Sequence, residues 1–328
     1  YPDGDVASFT PNAFGEATQV IRDARAGENT EFTYASGAQY HPSGSIHTFT
    51  YGNGLTHETK LNNRLLPESI KDATPENAAN PLSALHYSYQ YDNNQNVTRL
   101  TDHLDASFSL SALNYDGLNR LTSTTAAQND SLIGNTTLTY DGLGNITRYA
   151  VTSGNNTAQD LRYTYNYRAN LTSYPDGSVN RLRSIDDQGS RNRDYLHFEY
   201  NRRGSITNNS FHDFTYNRAN QMVSAVSGST SNQYRYDGHN RRVKQVKTKP
   251  DGSTETEYSL YSQNGAFQNS ILLYRETPDG SSNYLYLGKK LIAKDGYFKL
   301  NAGKQHYQPF GGSIEGELDD IGYTGHKF

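Results

Sequence analysis

The sequence contains no cysteine and no tryptophan, and it has one methionine in 328 residues. Without cysteine, disulfide bonds and thiolate metal sites are excluded, although this says nothing about the compartment. No run of apolar residues approaches the roughly 18 that a membrane helix requires, so no membrane span is predicted. Hydrophobic residues make up 34% of the chain, and mean hydropathy is -0.86. A thick, dry core is therefore not expected.

The chain also has no large excess of positive or negative charge. It contains 30 Lys and Arg residues and 34 Asp and Glu residues, which gives a formal net charge of -4. No basic block predicts a nucleic-acid partner, and no acidic tail is present. No signal peptide opens the chain, which begins with the turn-like run Tyr1-Pro2-Asp3-Gly4. We therefore expect this chain to be part of a longer protein.

Tyrosine is abundant, with 27 copies, and aromatic residues make up 12% of the chain. Such a composition argues against the disorder that low hydropathy can indicate. A tyrosine side chain combines a large apolar body with a polar tip. That combination suits a thin sheet with water on both faces better than it suits a solid core.

One motif, LTYDGLGNITR at 138–148, is predicted to form strand, turn and strand. Leu138 and Tyr140 share one strand face because side chains alternate with a period of two. Asp141 and Gly142 supply turn chemistry, and Gly142 is expected to take the positive φ. Ile146 then resumes an extended strand.

The same frame occurs seven times in the chain, with the copy at Tyr140 included. Its Tyr and Asp or Asn positions are Tyr91, Asp92, Tyr115, Asp116, Tyr140, Asp141, Tyr165, Asn166, Tyr200, Asn201, Tyr216, Asn217, Tyr236 and Asp237. Such self-similarity over roughly 20–50 residues indicates a repeat architecture. Strict alternation, as in HYSYQYD, predicts antiparallel strands whose two faces meet different environments. The prolines between 67 and 82 are expected to interrupt this rhythm with a loop or a short helix. No helix of ten or more residues is predicted, so the expected fold class is all-β.

The recurring tyrosines allow two interpretations. A ladder of cross-strand aromatic pairs would hold neighbouring hairpins together, whereas a tyrosine-lined surface could bind sugars or peptides by stacking. We favour the ladder because the tyrosines recur at one fixed repeat position.

Residues for catalysis or metal binding do not form a recognisable pattern. The chain has no GxSxG, HExxH or P-loop motif, and none of its ten histidines pair at helical spacing. A metal site built from distant histidines stays open as an alternative. The Asp-Gly dipeptides lack the acidic spacing of a calcium loop and are interpreted as turns. We predict no catalytic, cofactor or metal residue and no cofactor.

The Tyr-Asp copies, above all YDGLNRLTS and YDGLGNITR, resemble the YD repeats of the Rhs and YD-repeat superfamily. That group includes bacterial polymorphic toxins, the B and C components of insecticidal toxin complexes, and the teneurin shell. The opening YPDG…FTPNAFGEATQV and the segment TFTYGNGLTHETKLNNR are similar to the family's core, and QHYQPFGGSIEGELDDIGYTGHKF is similar to its end. The resemblance covers essentially the whole chain.

The resemblance implies antiparallel β-hairpin repeats in a spiralling sheet, as part of a hollow shell around a C-terminal toxin polypeptide. It implies a YD-repeat array over residues 1–300, most regular at about 86–247, and the start of the Rhs-associated core C-terminal segment at 301–328. Many members cleave themselves with an aspartyl site after the core. This sequence stops at Phe328, so neither Asp319 nor Asp320 is assigned that role.

The function implied is that of a structural, non-enzymatic shell segment that encapsulates a toxin for delivery. Expected partners are the rest of the shell, the toxin cargo, and secretion-system or toxin-complex components. The expected location is the bacterial cell surface or exterior, after a cytoplasmic stage before export. Two alternatives stay open: an extracellular adhesion or carbohydrate-binding module, and the scaffold of a self-cleaving protease whose active segment lies beyond Phe328.

Overall fold

The chain folds into antiparallel hairpins, as the alternation predicts. The structure is a computed structural model that describes residues 1–75, 82–129, 131–154, 156–166, 180–189, 196–262, 271–297, 305–308 and 313–314, with the backbone alone at Asn156 and Asn166. Within these ranges the single helical element is a 3-10 turn at Ala106–Phe108, and all other regular structure is β. The described part contains no helix with the length and apolar character of a membrane span. The all-β prediction is confirmed.

Twenty-five strands follow one another along the described chain. They are β1 Ala7–Pro11, β2 Ala17–Arg22, β3 Phe32–Tyr40, β4 Ile46–Tyr51, β5 Thr56–Leu61, β6 Pro67–Ala73, β7 Ser83–Tyr91, β8 Val97–Asp102, β9 Leu110–Tyr115, β10 Leu121–Ala126, β11 Asn135–Tyr140, β12 Ile146–Ser153, β13 Asn156–Asn166, β14 Arg181–Asp187 and β15 Leu196–His197. The rest are β16 Glu199–Tyr200, β17 Ile206–Asn208, β18 Asp213–Tyr216, β19 Met222–Ser227, β20 Thr230–Tyr236, β21 Arg242–Thr248, β22 Thr254–Tyr261, β23 Leu272–Thr277, β24 Gly280–Leu287 and β25 Lys290–Gly296. Strands β1–β15 form one sheet and β16–β25 another, each in sequence order.

The prediction of a loop or short helix over 67–82 is wrong for its first half. Residues Pro67–Ala73 form β6, which pairs with β5 and β7. Pro67 is the first residue of the strand, where its missing N–H is tolerated. Residues 76–81, including Pro81, lie outside the described residues.

The strands present two chemically different faces. In β7, Tyr87 and Tyr89 lie on one face, opposite Ile70 of β6 and Leu100 of β8. His86 and Ser88 lie on the other face, next to polar residues of β6. One face is therefore aromatic and aliphatic, while the other is largely polar.

The chain divides into two compact units, one formed by residues 1–136 with 282–328 and one by residues 137–281. In the first unit, Val20, Ala35 and Phe49 of β2–β4 pack in one buried cluster with Leu285 and Leu287 of β24. This cluster joins segments from the two ends of the chain. In the second unit the buried apolar side chains include Leu138, Val151, Ala225 and Tyr274.

Candidate functional site: the repeat turns and the tyrosine hydroxyls

Each Tyr-Asp motif whose turn lies among the described residues ends a strand and builds a tight turn. In the copy at Asp116, the N–H of Asp116 donates to Arg120 O at 3.0 Å, and the N–H of Asn119 donates to Asp116 O at 3.0 Å. The Asp116 carboxylate then accepts from the N–H groups of Leu118 (2.9 Å) and Arg120 (3.0 Å). Asn119 has φ of 59°. These features describe a three-residue hairpin loop with a left-handed residue before the closing position.

The same pattern of backbone and side-chain bonds recurs in the other described copies. It is present at Asp92, Asp141, Asn201, Asn217 and Asp237, and also at Asn12 and Asn62. Asp and Asn are interchangeable because both offer an oxygen acceptor two atoms from the backbone. The turns at Asn12 and Asn62 were missed by the sequence analysis because no Tyr precedes them. The side chain of Asn166 and residues 167–179 lie outside the described part of the chain.

The expectation that Gly142 takes the positive φ is wrong. The left-handed residue is the third after the Asp, which is Gly144 with φ of 89°, and the same position is Asn119 or Asn240 in other copies. Gly142 itself is outside the left-handed region and has open space around its Cβ position. In this turn type, the two residues after the Asp form the turn itself, and the left-handed bulge residue comes next.

At six repeat positions, the tyrosine that ends the first strand of a hairpin ties this hairpin to the preceding one. Tyr115 donates its hydroxyl to the carbonyl oxygen of Val97 at 2.8 Å, and Val97 lies five residues after the preceding turn residue, Asp92. Equivalent bonds of 2.6–3.0 Å are Tyr91 to Pro67, Tyr165 to Ile146, Tyr200 to Leu182, Tyr216 to Ile206 and Tyr236 to Met222. We call this series the tyrosine ladder. Tyr140 ends β11 at the same repeat position and is half-buried.

A β-bulge beside each turn accompanies the acceptor carbonyl. Tyr91 is opposite Val97, but Gln90 is opposite Arg99, so Thr98 is an extra residue on the second strand. The same shift follows Tyr115, Tyr200, Tyr216 and Tyr236. Because bulges interrupt regular backbone pairing, the carbonyl next to the bulge is available to a hydroxyl from the next hairpin.

The ladder differs from the stack of aromatic pairs that the sequence predicts. The residues directly opposite Tyr91, Tyr115 and Tyr216 are Val97, Leu121 and Met222, not other aromatic residues. The repeated link between hairpins is therefore the hydroxyl bond to the backbone. Burial raises the pKa of Tyr91 and Tyr115, so their hydroxyls stay protonated and able to donate.

Neighbouring turns are also linked through the left-handed asparagines. Asn96 donates its amide to Asn119 Oδ1 at 2.9 Å, and Gln221 donates to Asn240 Oδ1 at 2.8 Å. Ser205 donates its hydroxyl to Asn220 in the same manner, at 2.7 Å. Asparagine tolerates the left-handed conformation better than most residues, and here it also accepts a bond from the turn before it. Glycine at that position could not make this second contact.

The turn carboxylates predict a stability loss in acid. The N–H and guanidinium of Arg120 hold the pKa of Asp116 below its usual range, and bonds from Asn96 do the same for Asp92. The pKa of Asp237 is lowered as well, chiefly by the N–H of Arg241 against an opposing desolvation effect. A carboxyl whose pKa falls on folding contributes stability above about pH 4, and this contribution is lost as the pH drops through the folded pKa.

We expect the combined variant Asp92→Asn, Asp116→Asn and Asp237→Asn to lose less thermal stability than wild type between pH 7 and pH 3. Asparagine keeps the oxygen acceptor, as the natural turns at Asn201 and Asn217 show, but it does not titrate. Melting temperatures measured by circular dichroism across this pH range test the expectation. An unchanged pH slope in the variant would mean that these carboxylates are not stabilised by the turns.

The described histidines make structural contacts. Buried His57 has Nδ1 2.5 Å from Asp72 Oδ1 and Nε2 2.9 Å from Thr59 Oγ1, while His86 stacks on His103 with ring centroids 4.1 Å apart. Among the described residues, no group of three or more His, Asp or Glu side chains could hold a metal ion. The alternative of a metal site built from distant histidines gains no support from these residues.

Comparison with solved structures shows what this fold resembles. The chain aligns over 99% of its length with 18% of a chain in the Photorhabdus luminescens Tc holotoxin pore, with a TM-score of 0.58 and 14% identity. It aligns over the same share with 18% of a chain in the TcdB2–TccC3 complex (TM-score 0.55, 14% identity) and in that complex without its hypervariable C-terminal region (0.56, 12%). No protein-family model and no curated protein matches the sequence. The chain thus has the fold of a segment of these Tc toxin chains, and it spans about a fifth of their length.

Proposed function

We propose that the chain is a structural wall segment of an Rhs/YD-repeat shell that encloses and protects a polypeptide toxin for delivery. The observation that carries this proposal is a series of hairpins, in two sheets, in which six motif tyrosines donate their hydroxyls to the preceding hairpin. The fold likeness to Tc toxin chains over 99% of this chain supports it. The proposed role is mechanical and not catalytic.

The proposed partners follow from the same role. They are the remaining part of the shell, a C-terminal toxin polypeptide, and components of a secretion system or toxin complex. The division into an array at 1–300 and an Rhs-associated core C-terminal segment at 301–328 is part of this proposal. Most of that second segment lies outside the described residues, which include only a short bridge between Tyr307 and Ser313. The proposed location is the bacterial cell surface or exterior.

Small-angle X-ray scattering on the purified chain tests the proposal. A solid monomer of this length should have a radius of gyration near ~20 Å. We expect a clearly larger value at monomer mass, with long distances enriched in the pair-distance distribution. A value at the compact limit would mean that the sheets pack on themselves as a solid body, and enclosure of a cargo would have to be abandoned.

A further inference from the structure

Two histidines lie on either side of the turn that joins β3 to β4. His41 begins this turn, with its N–H donating to Ser45 O at 2.8 Å, and His47 is the second residue of β4. Their ring centroids are 4.5 Å apart, and the ring planes are inclined by 44°. Both residues are half-buried, so their rings keep access to solvent. They are six positions apart in the sequence, and the hairpin brings their side chains together.

A β-bulge places His47 beside the turn. The register between β3 and β4 shifts between Gln39 and Tyr40, which leaves His47 as an extra residue on the second strand. A bulge redirects the side chain of the residue that it inserts. The imidazole of His47 therefore approaches that of His41, and does not follow the regular alternation of the strand.

A hydrogen bond fixes the tautomer of His41. Its Nε2 atom is 2.8 Å from Thr59 O of β5. A carbonyl oxygen only accepts, so Nε2 carries the proton and Nδ1 of the neutral ring keeps its lone pair. A backbone carbonyl that accepts from the second nitrogen is the usual support of a metal-binding histidine. The His47 side chain forms no hydrogen bond or ion pair with other described residues, so its ring nitrogens are available as well.

The separation of the two rings fits a single metal ion. With metal–nitrogen bonds of about 2.0–2.1 Å, two imidazoles bound to one ion at a right angle have their centroids about 4.5 Å apart. Imidazole suits copper, nickel and zinc, and Cu²⁺ forms the strongest complexes of the divalent ions in this series. Zinc sites generally use three or four protein ligands, and the described residues offer no such group. Two nitrogens and water suit the tetragonal coordination of Cu²⁺.

We propose that His41 and His47 bind a divalent transition-metal ion, with Cu²⁺ preferred, through Nδ1 of His41 and one ring nitrogen of His47. The bound ion links the start of the turn to β4, and the bond from His41 to Thr59 O extends this link to β5. The site goes beyond the proposed function. It does not depend on enclosure of a cargo, so the scattering experiment and the metal titration can fail independently.

A second close pair of histidines provides a control. His86 and His103 stack with centroids 4.1 Å apart and planes inclined by only 26°, and His103 Nε2 is 2.9 Å from Ser88 Oγ. Lys71 lies opposite His86 in the sheet. Burial, His103 and the positive charge of Lys71 all lower the pKa of His86. Because that positive charge also repels a metal ion, we do not expect this pair to bind Cu²⁺.

The test is a titration of the full chain with CuCl₂, followed by isothermal titration calorimetry and electron paramagnetic resonance. We expect one site that is tighter than any other, with a spectrum that shows two nitrogen ligands. His41→Ala and His47→Ala should each bind Cu²⁺ at least about tenfold more weakly, since loss of even an outer partner of a metal ligand costs about 10–100-fold. Each variant should show one nitrogen ligand. His86→Ala, which removes one histidine from the other close pair, should bind as wild type does.

Melting temperatures in EDTA establish that the variants are folded without metal. If His41→Ala loses stability there through its lost bond to Thr59 O, His47→Gln decides the test, because His47 makes no such bond. The proposal is overturned if wild type has no site that shows two nitrogen ligands. It is also overturned if the folded His47 variants keep wild-type affinity, or if His86→Ala loses as much affinity as they do.

Discussion

Phe49→Ala is expected to lower the free energy of unfolding by about 3–5 kcal/mol, the range for removing a buried aromatic ring. Phe49 is 1% exposed and belongs to the cluster that joins β2–β4 to β24. Its ring centroid is 4.5 Å from that of Tyr51 and 5.0 Å from that of His57. The substitution opens a cavity where the first and last hairpins of this unit meet, and the thin sheet around it has few other buried side chains to compensate.

Denaturant unfolding followed by circular dichroism measures this effect. Phe14→Ala serves as the matched control, because it removes the same ring from a position that is 89% exposed. The control should stay within about 0.5 kcal/mol of wild type. If both variants lost the same small amount, the buried cluster would not be what holds the terminal hairpins of this unit together.

Glu257→Ala should destabilise the second unit by about 3–5 kcal/mol, because it removes the carboxylate that forms two hydrogen bonds with the buried guanidinium of Arg275. Arg275 donates from Nε to Glu257 Oε1 at 2.6 Å and from Nη2 to Oε2 at 3.0 Å, a paired geometry that favours strong bonding. The Arg275 side chain is 7% exposed and that of Glu257 is 15% exposed. Neither charge has ready access to water.

A double replacement separates the loss of the ion pair from the cost of leaving one charge buried. Replacing both partners, with Glu257→Leu and Arg275→Met, should recover most of the loss, since neither charge of this pair then remains buried. Glu255→Ala on the same strand is the control, because Glu255 pairs with Lys249 at the surface, where ion pairs contribute little. We expect the denaturant midpoint of Glu255→Ala to match that of wild type. A Glu257→Ala midpoint equal to that of Glu255→Ala would show that the buried pair is unimportant.

The sequence predicts the repeat and the strand-turn-strand unit well, because both depend on residues close together in the chain. Alternation of tyrosine with polar residues sets the two faces of β7, and the Asp of each motif initiates its turn through bonds to residues two and four positions on. Local chemistry of this kind is visible in any single copy. The all-β architecture follows from it.

The hydroxyl bonds were not predicted, because the acceptor is a backbone carbonyl whose availability depends on a bulge. Nothing in the side chains of Val97 or Met222 reports that their carbonyls accept a hydroxyl from the next hairpin. The position of the left-handed residue was mistaken for a related reason. The choice between Gly142 and Gly144 depends on the turn type, and the presence of glycine at both positions conceals it.

The contacts between the two ends of the chain also could not be predicted from the sequence. Arg25 binds Asp295 through Nη2 and Oδ2 at 2.6 Å, and Asn283 donates to Asp3 Oδ2 at 2.7 Å. These partners are separated by about 270–280 positions. A periodic pattern specifies neighbours in the array but does not specify which hairpins far apart in the sequence come into contact.

The claim that tyrosine hydroxyls hold the hairpins together is tested most directly by removing three of them in one protein. Tyr200→Phe, Tyr216→Phe and Tyr236→Phe keep the rings and delete the bonds to Leu182, Ile206 and Met222. At about 1 kcal/mol for each hydrogen bond, denaturant unfolding should show a loss of about 3 kcal/mol. Tyr258→Phe is the control, since Tyr258 is 44% exposed and lies outside the ladder. A triple variant as stable as this control would contradict the account.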